Sequence, residues 1–88
     1  MEDLKKFREE IDRLDETLIN TLAMRFQITD KVGALKKAKK LPPVDVQRES
    51  EQEKRILELA KRAGLHEHIA LSVLRLIIDS VVENHRKA

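Results

Sequence analysis

The sequence predicts an all-α fold, three helices of unequal length in a single domain spanning residues 1–88, from three observations. Leu4, Ile11, Leu18, Arg25 and Val32 hold one heptad position and Phe7, Leu14, Thr21, Ile28 and Leu35 the other, so an apolar seam runs from Leu4 to Leu35. The helix breakers are few and localised: prolines occur only at Pro42-Pro43, and the glycines are Gly33 and Gly64. The balance of 41% hydrophobic against 39% charged residues describes folded helices with solvated faces, not a disordered chain.

The first helix is expected from about Asp3, a candidate N-cap, to about Lys40, because the seam keeps its phase and no proline precedes Pro42. At roughly 1.5 Å per residue it is more than 50 Å long, longer than a compact domain of this size is wide. Pro42-Pro43 ends it. Asp45 is placed to cap a second helix over 45–63, which Gly64 closes in the left-handed conformation. A third helix over about 67–86 carries Ile69, Val73, Leu76, Ile77, Ser80 and Val81 at helical spacing. Two short helices cannot cover the stripe of the long one. An intertwined homodimer with the long helices antiparallel is therefore expected, one patch satisfying both copies. A small core and the absence of cysteine point the same way, because disulfides cannot supply the missing stability.

Eighteen basic and 16 acidic residues are interleaved along most of the chain, the balance of a solvated surface. The cluster Lys36, Lys37, Lys39 and Lys40 has no aromatic or Arg stacking platform beside it. It reads as a helix C-terminus favouring the negative end of the macrodipole, and nucleic acid is not implied. No run approaches a membrane span, and the start Met1-Glu2-Asp3 lacks a basic or apolar leader. A soluble, cytoplasmic protein is the expectation. His66 and His68 make at best an incomplete metal site, so neither metal nor cofactor is assigned.

The polar residues on otherwise apolar faces carry the functional information. Arg25 interrupts the seam at its middle, and a buried guanidinium needs either a carboxylate partner or an anionic ligand. Glu49 and Glu53, which lead the stripe Ile56, Ala60, Ala63, are candidate partners that would fix dimer register. Lys36 follows Arg25 by close to three full turns, about 16 Å along the axis, and the two can converge on one small anion. The stripe Leu74, Ile78, Val81 ends in the imidazole of His85. Arg8 lies about 25 Å from Arg25 along the helix and nearly 100° around it, so only a partner's Arg8 reaches Arg25, in an antiparallel dimer.

These residues carry a family resemblance. The run Phe7-Arg8-Glu9-Glu10-Ile11-Asp12-Arg13-Leu14-Asp15, Arg25 followed by Val32-Gly33-Ala34-Leu35-Lys36, and Pro42-Pro43-Val44-Asp45-Val46-Gln47-Arg48-Glu49 together resemble the all-helical chorismate mutases, from about Leu4 to His85. The resemblance implies an intertwined dimer of three-helix chains that converts chorismate to prephenate in aromatic amino-acid biosynthesis, without metal or covalent intermediate. It implies that Arg25 and the partner's Arg8 clamp the substrate carboxylates, and that Lys36 donates to the ether oxygen and a carboxylate. Glu49 would then accept from the ring hydroxyl with help from backbone near Asp45, and Arg48 would supply charge and orientation. Two positions depart from the family pattern: His85 stands where Gln is usual, and Val81 where a small polar residue commonly helps bind a carboxylate. An imidazolium at His85 would stabilise the developing oxyanion better than its neutral form, so efficiency is expected to fall as pH rises. Related activities on the same fold are an isochorismate pyruvate lyase and a mutase of the amino analogue. A non-enzymatic helical dimerisation module is the alternative of a different class.

Overall fold

The computed structural model describes residues 1–87, which form helices α1 (Glu2–Ala38), α2 (Val46–Ala63) and α3 (Glu67–Lys87) in chain order. No strand occurs among the described residues. The α-helical class and the number of helices agree with expectation, and the boundaries differ at α1. Asp3 does not cap it: the helix begins at Glu2, with Met1 in the capping position and no side-chain cap. Glu2 and Asp3 instead place negative charge in the first turn, where the macrodipole favours it.

At its other end α1 stops at Ala38, short of Lys40. Lys40 takes a left-handed conformation, φ 56°, and the Leu41 N–H closes back on the Lys36 carbonyl at 2.8 Å. This is the Schellman ending usually built on glycine, here built on lysine. Leu41 must then leave helical space because Pro42 follows it. The end of α2 repeats the motif with the residue that suits it: Gly64 sits at φ 74°, and the Leu65 N–H reaches the Ala60 carbonyl at 2.9 Å. At its start, Asp45 Oδ1 accepts from the Arg48 backbone N–H at 3.0 Å, satisfying a donor the helix cannot.

Helix α3 lies against both α2 and α1, whereas α1 and α2 meet through side chains. The core is thin. Among the described residues only Ala60, Ala70, Leu74 and Ile78 are buried, all on α2 and α3. The less exposed residues of α1 are Leu22, Arg25, Phe26, Thr29, Gly33 and Lys36, all but Arg25 set to one side of the heptad seam. The seam residues Leu4, Phe7, Ile11, Leu14, Leu18, Ile28, Val32 and Leu35 are exposed, Leu14 at 68%. The result is an elongated body of 57 × 24 × 15 Å with a continuous apolar stripe along its longest element.

Candidate active site

One cleft of about 380 Å³ opens between the C-terminal half of α1, the start of α2 and the last turns of α3. Arg25, Lys36, Asp45, Arg48, Glu49, Val81 and His85 all line it, together with apolar walls from Ile28, Val32, Ile78 and Val82. Arg8 is not there. It is exposed on the N-terminal half of α1, among Leu4, Lys5, Glu9 and Asp12.

The local causes of this arrangement are visible element by element. On α1, Arg25, Thr29 and Lys36 recur at three- and four-residue multiples and so share a face. The Asp45 cap starts α2 so that Arg48, Glu49 and Gln52 fall in its first two turns, turned to the cleft. Ile78, Val81, Val82 and His85 do the same for α3.

Arg25 is half-buried and donates from Nη2 to Oε1 of Gln52 at 3.0 Å. Neither Glu49 nor Glu53 answers it, so the ion pair considered from the sequence does not form. Glu53 is exposed, and Gln52 holds the inward position. The Lys36 ammonium donates to the Pro43 carbonyl at 3.2 Å. Both partners are neutral, so the charge of each cation is left available to an anion. Arg48 has only a loose 3.9 Å approach to Glu51, and an exposed pair of that kind contributes little. Of the two acids, Asp45 is occupied as a helix cap, and Glu49 accepts at 2.8 Å from Arg75, which lies outside the cleft lining.

His85 packs on Gly33. A side chain at position 33 would meet the imidazole, its Cβ falling 2.7 Å from Nε2. The close approach lets Nε2 donate to the Thr29 carbonyl at 3.0 Å, because a carbonyl only accepts. Nε2 therefore carries a proton, and Nδ1 is buried without a partner. Residues that sequence reasoning missed here are Gln52, Thr29 and Arg75. Gln52 lies on the same face as Arg48 and Glu49, one turn on, and that spacing was its only signal.

An all-helical domain whose cleft cations Arg25 and Lys36 are bonded to neutral partners has positive charge to offer a small anion. The comparison with known families narrows this: residues 7–86 match the model of the family described as chorismate mutase type II, and the chain belongs to that family. It is 34% identical over 90 residues to the bifunctional chorismate mutase/prephenate dehydratase of Aquifex aeolicus (strain VF5), covering 99% of this chain and 25% of the relative. It is likewise 34% identical over 79 residues to the protein of the same description from Escherichia coli (strain K12), covering 90% of this chain and 20% of that relative. The chain thus spans a quarter or less of the length of these curated relatives. Among the described residues no helix is long and apolar enough to cross a membrane.

Proposed function

We propose that this chain rearranges chorismate to prephenate, and that it does so as a homodimer in which Arg8 of a second copy completes each cleft. The observation that carries the proposal is the state of the cleft cations. Arg25 and Lys36 are held in place by a glutamine and a backbone carbonyl, not by carboxylates, which suits them to a dicarboxylate substrate.

In this reaction an ether C–O bond breaks as a C–C bond forms within the same molecule, with no net proton transfer. The protein has two tasks: to hold the folded, chair-like conformer, and to stabilise negative charge gathering on the ether oxygen. Arg25 and Arg8 of the second copy would each take a carboxylate, for which a guanidinium offers two parallel donors. Lys36 would exchange the Pro43 carbonyl for the ether oxygen and a carboxylate. Glu49 would accept from the ring hydroxyl, with backbone near Asp45 assisting, and Arg48 would add positive potential. Val81 would supply apolar wall where a polar contact is usual in the family, and His85 would exchange the Thr29 carbonyl for the ether oxygen as the acceptor of its Nε2–H.

Support for the dimer comes from the exposed seam of α1, the thin core, and an apolar groove of about 690 Å³ bordered by Leu18, Ile56, Leu59, Leu65 and Ile77. The test of function is the rate of chorismate consumption, with prephenate identified as product, for the wild type and Arg25→Ala. We expect conversion by the wild type and a loss of about a hundredfold or more in kcat/KM for the variant, with helical content retained. A folded wild type that leaves chorismate unchanged would overturn the proposal.

A further inference from the structure

Glu49 is contested between two surroundings. Its side chain lines the cleft, where Arg25, Lys36 and Arg48 also stand, yet Oε1 accepts from Nη2 of Arg75 on the outer surface of α3. Arg75 is itself held from two sides, since its Nε lies 3.7 Å from Asp79 one turn further along α3. Its basicity is raised, first by the hydrogen bond with Glu49 and further by the charges of Asp79 and Glu53. The guanidinium thus sets one prong on Oε1 of Glu49 and turns another toward Asp79.

A carboxylate left free in that cleft would be drawn to the cations beside it and would neutralise the charge a dicarboxylate ligand needs. We propose that Arg75 is a positioning residue: by holding Oε1 on the outer side, it keeps Glu49 off the cleft cations and presents Oε2 to the ring hydroxyl of the bound substrate. The inference rests on the chorismate reading of the cleft. It assigns a role to a residue that does not line the cleft and that acts only through Glu49. The pair is a poor candidate for a purely structural element, because Arg75 is 48% exposed and surface ion pairs add little to folding.

The hydroxyl contact is made in both the bound and the transition state, so its loss belongs in KM more than in kcat. The experiment measures KM and kcat for chorismate with the wild type, Arg75→Gln, Glu49→Gln and the double variant, alongside thermal unfolding. We expect Arg75→Gln to raise KM by about tenfold with kcat changed far less and the unfolding midpoint nearly kept. The double variant should be no worse than Glu49→Gln alone, because one loss contains the other. Arg75→Lys keeps the charge but not the fork and should give an intermediate KM, which serves as the readout if Arg75→Gln folds poorly. Wild-type KM in both Arg75 variants, or losses that multiply in the double variant, would overturn this inference while leaving the function standing. A folded wild type with no turnover would overturn both.

Discussion

His85 joins a structural contact to a chemical one. Its Nε2–H is committed to the Thr29 carbonyl and its Nδ1 is buried without a partner, so it can donate to a ligand only by drawing Nε2–H away from Thr29. The charged groups around the same cleft are Arg25 and Lys36 from α1 and Asp45, Arg48 and Glu49 from the α2 side. We expect His85→Ala to lower kcat/KM for chorismate by about tenfold with helical content retained. Equal kcat/KM for the two proteins would remove His85 from the mechanism. Much of this residue-level picture was legible in the chain, because Arg25 and His85 each interrupt an apolar stripe. The partners were not. That Arg25 would choose Gln52 over Glu49, and that Glu49 would turn to Arg75, depends on how three helices meet, which periodicity along one helix does not encode.

At the scale of elements, the helix ends show which signals in a sequence are specific. Asp45 and Gly64 bound α2 where expected, since a side-chain acceptor and a left-handed glycine each have one local role. The end of α1 was less legible: Lys40 adopts the left-handed state with no residue-type signal, and the two prolines mark only where a helix cannot continue. A lysine at φ 56° carries the steric cost that glycine avoids. Lys40→Gly should therefore stabilise the fold by about 0.5 kcal/mol, the relief of strain being partly offset by the added freedom of the unfolded chain. Chemical denaturation of the two proteins checks this, and a destabilised Lys40→Gly would mean that the lysine side chain contributes more than its backbone costs. The heptad seam placed the exposed face of α1 correctly. It did not distinguish that face from the one carrying Leu22, Phe26 and Gly33, because apolar residues on two adjoining faces blur a single period.

For the whole molecule, the separation of Arg8 from the cleft becomes a test of assembly. If each cleft takes Arg25 from one chain and Arg8 from the other, Arg8→Ala and Arg25→Ala homodimers both lack a working site. A mixed dimer has one intact site and one doubly defective site. Unfolding and refolding an equimolar mixture should restore about one quarter of wild-type activity, as random pairing in a two-fold dimer requires. Absence of recovery from a mixture shown to contain mixed dimers would place both arginines in the same chain's site or remove Arg8 from it. The seam residues Ile11 and Leu14 are the parts of α1 on which that pairing would depend.

The unburied length of α1 has a further consequence. A helix with none of its 37 residues buried within its own chain draws little stability from that chain's core. Its N-terminal half should gain order only as a second chain arrives. Turnover per chain would then fall as the protein is diluted below the dissociation constant of the dimer, and bound substrate, by bridging two chains, would oppose that fall. Abundance in the cell would act on such an enzyme twice, setting both how many chains exist and what fraction of them can work.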